Sequence, residues 1–115
     1  MITGNYPNLR LRRNRKQPWI RRLVQENTLS PNDFILPIFL IDGKNKKEKV
    51  KSMPDVYRYS INRLSQIIDK ALKLKVPMVA LFPKTNEKLK NEIGTEALNE
   101  NNLFCKAIVE IKKRY

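Results

Sequence analysis

Lysine is the residue type in this sequence with the most latent chemistry. An ε-amino group adds to a carbonyl as a Schiff-base nucleophile only where a desolvated pocket or a neighbouring cation lowers its pKa. Lys44, Lys46, Lys47, Lys49 and Lys51 fall within one polar run, which reads as a solvated loop. Lys84 lies just past the apolar run Met78-Val79-Ala80-Leu81-Phe82, at the strand end where α/β folds place their ligands, yet it too reads as a loop lysine. Cys105 has no second cysteine and no histidine to join it, so neither an internal disulfide nor a Cys/His metal site is open to it. Its place beside the apolar face of a C-terminal helix reads as a structural thiol. Glu87, Glu92, Glu96 and Glu100 are spread through one polar loop without a histidine or a second converging pair, a pattern of solvation rather than of acid–base catalysis. No catalytic, cofactor-binding or metal-ligating residue is nominated within the chain.

Charge is the second chemical feature. Lysine and arginine number 24 against 11 acids, a formal charge of +13 at pH 7, which favours an anionic partner or an acidic protein surface. No acid precedes Glu26, and Arg10, Arg12, Arg13, Arg15 and Lys16 put five cations into seven residues. Residues 1–17 carry no apolar periodicity and have little to bury alone, so they are expected to form an extended basic arm. Such an arm can grip phosphates, with Tyr6 and Trp19 available to stack on bases and a steep salt dependence as its signature. It can equally grip a neighbouring subunit.

The remaining sequence supplies the elements that hold these groups. Pro18 suits a first helical turn, and Trp19, Ile20, Leu23 and Val24 follow at helical spacing. Ser30-Pro31-Asn32-Asp33 is turn chemistry. Phe34 to Ile41 is apolar at every position, the pattern of a parallel strand buried on both faces, with Pro37 implying a bulge, an edge or a bend. Asp42-Gly43 ends it, and the alternating Val56-Tyr57-Arg58-Tyr59 leads to Ser60 as a helix N-cap. Leu64, Ile67, Ile68, Ala71, Leu72 and Leu74 mark one face of a helix from Ile61 that Pro77 stops. Met78 to Phe82 is a second apolar strand, Lys84 to Asn101 a long loop, and Leu103, Ala107, Ile108 and Ile111 a last amphipathic helix. Strand, helix, strand at this spacing is a right-handed βαβ unit, and the fold class is α/β.

Taken in order, Arg10-Leu11-Arg12-Arg13-Asn14-Arg15-Lys16 before Pro18-Trp19-Ile20-Arg21, Leu29 to Phe39, Ser52-Met53-Pro54, and Gly94-Thr95-Glu96-Ala97-Leu98-Asn99 resemble the N-terminal third of the porphobilinogen synthase (delta-aminolevulinic acid dehydratase) family. Two positions depart from its pattern: Asp55 and Lys75 stand where glycine is expected. The resemblance implies an N-terminal part of an eightfold (β/α) TIM barrel, with residues 1–17 as the arm and residues 18–115 as the first helix and first two βα units. It implies a lyase of heme and tetrapyrrole biosynthesis that condenses two molecules of 5-aminolevulinate to porphobilinogen. The family's two Schiff-base lysines, and its zinc or magnesium ligands, belong to later strands, so the 115 residues alone are expected to be inactive. The complete enzyme is expected to be an octamer-type homo-oligomer, or this chain is completed by a C-terminal polypeptide; a fragment, a degraded gene product and half of a split enzyme all fit. Under the resemblance Arg10, Arg12, Arg13, Arg15 and Lys16 become a subunit-contact arm, with nucleic acid the alternative. The single cysteine and an apolar stretch too short to cross a bilayer lead to a cytoplasmic expectation. Strands apolar on both faces make the isolated chain a marginal fold expected to need a partner.

Overall fold

The computed structural model describes residues 4–115. Met1, Ile2 and Thr3 of the expected arm lie outside the described residues. Helix α1 spans Pro18–Leu23, with Pro18 in its first turn. The Ser30 turn follows as a single 3-10 turn, Pro31–Asp33, closed by a capping box in which the Ser30 hydroxyl accepts from Asn32 N–H and Asp33 accepts from Ser30 N–H. Strand β1, Ile35–Leu40, is the apolar run. Short strands β2, Lys47–Lys49, and β3, Tyr57–Tyr59, come next, then helix α2, Ser65–Lys73, strand β4, Met78–Pro83, and helix α3, Leu103–Arg114.

Four strands form one mixed sheet in the order β2-β3-β1-β4. β1 and β4 run parallel from Ile35↔Met78 to Leu40↔Pro83, β3 runs parallel to the end of β1, and β2 pairs antiparallel with β3. This corrects the expectation of a solvated loop over Lys44–Lys51. Its lysines are exposed, but Lys47, Glu48 and Lys49 oppose Tyr59, Arg58 and Tyr57. The turn of the hairpin is shut by Val50 N–H donating to Val56 O at 2.9 Å.

Pro37 is tolerated for a reason visible in the ladder. Ile41 N–H donates to Tyr59 O, while Leu40 O accepts from Lys84 N–H. Odd-numbered backbone groups of β1 therefore address β3 and even-numbered ones address β4. The N–H that Pro37 lacks would point to the β3 side, where pairing begins only at Phe39↔Arg58. Locally Pro37 is an edge residue.

Parity also decides the core. Ile38 and Leu40 are fully buried and pack with Leu64, Ile68 and Ala107, joined by Leu36, Val79 and Leu81. Helices α2 and α3 cover this face alone. On the opposite face Ile35, Met78 and Phe82 remain 58%, 57% and 50% exposed, and Phe39 and Phe82 stack with ring centroids 5.7 Å apart. The chain's own helices thus cover one face of both strands and leave the other open, the exposure expected of strands apolar on both faces that lack their remaining neighbours.

The helix expected from Ile61 opens as a 3-10 turn, Ile61–Arg63, before α2 begins. Ser60 does not cap it through its side chain. The hydroxyl, completely buried, instead accepts from Lys46 N–H at 2.9 Å and lies 2.8 Å from Asn62 Oδ1, so it fastens the hairpin to the helix start. α2 ends in a Schellman motif, with Lys75 N–H bonded to Leu72 O and Val76 N–H to Ala71 O. Lys75 occupies the left-handed position at φ +58°. Asp55, in the hairpin turn, has φ +59°. Both positions where glycine was expected thus have the backbone conformation that glycine adopts most cheaply.

Candidate functional site

β1 and β4 end level with each other, so the segments leaving them, Ile41-Asp42-Gly43 and Lys84-Thr85, lie side by side. Lys84 N–H extends the ladder by bonding Leu40 O at 2.9 Å. Asparagine caps shape the loop that follows. Asn86 accepts from Lys88 N–H, Asn91 from Thr95 N–H, Asn99 from Asn101 N–H, and Asn102, the N-cap of α3, from Cys105 N–H. Two further 3-10 turns, Glu87–Leu89 and Thr95–Leu98, fold the loop back over the strand ends, the second entered through Gly94 at φ +65°. The result is an open cavity of about 630 Å³ lined by Asp42, Lys84, Thr85, Glu96, Asn102 and Phe104 among others. The side chains of Asn86, Asn99 and Asn102 that line it are already bonded to the backbone of the loop and of α3.

A charged cluster stands beside this mouth. Glu48 Oε1 accepts from Arg58 Nη1 at 2.8 Å and from Lys84 Nζ at 3.3 Å. Lys84's hydrogen bond, reinforced by its charge and by Arg58, holds the Glu48 carboxyl below the ordinary glutamate value of 4.5. Lys84 is therefore half exposed and ion-paired, the opposite of the dry setting a Schiff-base lysine needs. Sequence reading missed this cluster because it missed the hairpin. The usable signal was the alternation in Val56-Tyr57-Arg58-Tyr59 facing Lys47-Glu48-Lys49 across the Met53-Pro54-Asp55 turn. On the other face of the hairpin the Lys47 ammonium sits 4.4 Å above the Tyr57 ring and 5.6 Å from that of Tyr59. Burial raises the Tyr59 pKa above its ordinary value of 10.0, with the nearby Tyr57 adding to the effect.

The other candidates are not drawn together. Cys105 is half-buried near the start of α3. Glu87 pairs with Lys90 at 2.6 Å and Glu96 accepts from Asn99, while Glu92 and Glu100 are exposed. Among the described residues no group of three or more His, Cys, Asp or Glu converges to hold a metal ion, and no helix is long and apolar enough to cross a membrane.

Arg10, Arg12, Arg13, Arg15 and Lys16 are all exposed. Arg13–Arg15 forms a 3-10 turn, and Arg15 O accepts from Arg21 Nη1 at 2.9 Å, tying this stretch to α1. The Arg10 guanidinium lies 5.4 Å from the Tyr6 ring centroid. The substantial contacts of α1 are with that turn rather than with the sheet. The radius of gyration is 22.1 Å, against about 13 Å for a compact chain of roughly 100 residues, so the basic stretch stands well off the body. Trp19 and Leu23 on α1 stay 59% and 76% exposed.

The sequence profile of the family described as delta-aminolevulinic acid dehydratase matches residues 8–115. The chain belongs to that family. Relatives named delta-aminolevulinic acid dehydratase include one from Bradyrhizobium diazoefficiens, 50% identical over 107 residues, covering 93% of this chain and 30% of the relative. Another, from Ruminiclostridium josui, is 41% identical over 106 residues, covering 92% of this chain and 51% of the relative. A crystal structure of the Toxoplasma gondii delta-aminolevulinic acid dehydratase (porphobilinogen synthase), in complex with the reaction product porphobilinogen, superposes with a TM-score of 0.81 at 34% identity. That match covers 93% of this chain and 30% of the other. The chain thus corresponds to an N-terminal portion of the dehydratase family, spanning 30% of the length of the Bradyrhizobium and Toxoplasma proteins and 51% of that of the Ruminiclostridium one.

Proposed function

We propose that these 115 residues supply the opening βα units of a delta-aminolevulinic acid dehydratase TIM barrel, a lyase that condenses two molecules of 5-aminolevulinate to porphobilinogen in heme biosynthesis. The observation that carries the reading is the family match across residues 8–115, joined to a parallel β1–β4 pair whose second face is apolar and uncovered. In a closed (β/α)8 barrel that face points inward and is packed by side chains from the other strands. The strand ends carrying Asp42 and Lys84 lie at the rim where barrel enzymes bind substrate.

The chain's own part is structural in this reading. No residue here corresponds to the family's Schiff-base lysines, and none is assigned a part in holding the zinc or magnesium of the complete enzyme. Arg10, Arg12, Arg13, Arg15 and Lys16, with the exposed Trp19 and Leu23, form an arm that docks on a neighbouring barrel in a homo-oligomer. The compartment proposed is the cytoplasm.

The test is complementation. The purified chain is assayed for porphobilinogen by Ehrlich colour, alone and after co-expression with a polypeptide that carries the remaining strands of a homologue. No colour alone and recovered turnover in the mixture are expected. Turnover by the chain alone, abolished by a point change within it, overturns the reading.

A further inference from the structure

Asp42 precedes Gly43, and no other Asp or Asn of the sequence is followed by glycine. The pair sits in an exposed bend between two anchors. On one side Ile41 N–H is bonded to Tyr59 O; on the other Lys46 N–H is bonded to the buried Ser60 hydroxyl and Lys46 O to Ser60 N–H. Gly43 N–H has no main-chain acceptor, and its partner is the carboxylate next to it, Asp42 Oδ1, at 2.8 Å. Gly43 has φ +113°, and a methyl group added there would meet Lys46 Nζ at 2.8 Å. Both residues are exposed, and no side chain on Gly43 stands beside its nitrogen and the Asp42 carboxyl.

We propose that Asp42-Gly43 is a site of succinimide formation and isoaspartate conversion in the folded chain. The Gly43 amide nitrogen gives up its proton to solvent and attacks Asp42 Cγ. The new N–Cγ bond forms as a Cγ–O bond breaks; the departing oxygen takes up two protons from solvent, one replacing the proton the nitrogen gave up and one returned when the ring is hydrolysed, and leaves as water, closing a five-membered ring. Water then adds back. Opening at Cγ restores aspartate; opening at the Asp42 main-chain carbonyl sends the backbone through Cβ and Cγ and leaves a free α-carboxylate. Only water is lost and regained, so no further reactant is needed. The anchored bend keeps the Gly43 nitrogen within hydrogen-bond reach of the Asp42 carboxyl, and an intramolecular step gains from such restraint over the unrestrained one. The product has one additional main-chain carbon between the Ile41 and Lys46 anchors, at the rim of the cavity.

The test ages the intact chain at neutral pH and physiological temperature. Isoaspartate is read by methyl transfer from S-adenosylmethionine with an isoaspartyl methyltransferase, and located by electron-based fragmentation of the tryptic peptide covering residues 23–44. Conversion at Asp42 is expected to exceed that at Asp33, Asp55 and Asp69 several-fold, at a rate no lower than in a synthetic peptide of residues 38–46. Asp42→Glu should remove most of the methyl acceptance, since its ring would have to be six-membered. Protection of Asp42 in the intact chain relative to the peptide, an even spread over the aspartates, or undiminished methyl acceptance by Asp42→Glu overturns the proposal.

Discussion

Replacing Lys75 by glycine should leave the chain more stable than replacing it by alanine, although glycine removes one more side-chain atom at that position. Lys75 is exposed and sits at φ +58° in the Schellman turn that ends α2. A left-handed conformation costs an L-residue about 1–2 kcal/mol that glycine does not incur. Glycine returns part of this, about 0.4–1 kcal/mol, because its unfolded chain is freer. Lysine also offers its charge to the C-terminal end of the helix, worth about 0.3–1 kcal/mol at most sites. Alanine is therefore the proper reference: Lys75→Ala loses the charge and keeps the β-carbon in the left-handed position. Lys75→Gly should exceed Lys75→Ala by about 0.5–1 kcal/mol, or about 2–6 °C in midpoint for a domain of this size. Thermal unfolding followed by far-ultraviolet circular dichroism, for the wild-type chain and both variants in one buffer, reads the difference. A glycine variant no more stable than the alanine variant would refute the argument, because it would mean that the turn does not hold position 75 left-handed.

Two further predictions concern the sheet. Ile38→Ala should cost about 2–5 kcal/mol, because Ile38 is 1% exposed in the core between β1 and the helices; Ile35→Ala, at 58% exposure on the open face, should cost about 1 kcal/mol or less. Equal losses in amide-exchange protection would contradict the face assignment. Glu48→Gln should flatten the acid limb of the stability profile. The folded-state pKa of Glu48 is depressed by Lys84 and Arg58, so its contribution is present above the ordinary value of 4.5 and lost as pH falls through the folded-state value. Parallel midpoint-against-pH curves for wild type and Glu48→Gln would remove Glu48 from the account.

Much of the frame was legible because local signals and tertiary demands agreed. Phe34 to Ile41 and Met78 to Phe82 could hardly be anything but strands, and the structure trims or extends them by a residue. The α2 face, the Ser30 turn and the start of α3 at Leu103 were equally plain. The hairpin was not legible, since Lys47-Glu48-Lys49 has the composition of a loop and becomes a strand only through what it meets. Tyr57 and Tyr59 offer ring faces to Lys47, Arg58 offers a guanidinium to Glu48, and Ser60 fastens the first turn. Ser60 itself was misread for the same reason. A serine before an apolar run is an N-cap by local rule, but a hydroxyl buried against Lys46 is already engaged.

The open face of the sheet is more instructive than the missed hairpin. A sequence records which positions are apolar, whereas the element that covers them can lie far along the chain or on another chain. β1 and β4 alternate between a face packed on Leu64, Ile68 and Ala107 and a face where Ile35, Met78 and Phe82 meet solvent. Each 100 Å² of apolar surface left in water forgoes about 2.5 kcal/mol, a large fraction of the roughly 5–15 kcal/mol by which a domain is stable. A hydrophilic replacement on the open face would therefore be nearly free if water were its natural neighbour. That all six positions there, Ile35, Pro37, Phe39, Met78, Ala80 and Phe82, are apolar argues that the face is built to be packed, and the family to which the chain belongs provides a fold in which that packing comes from the strands that complete a barrel.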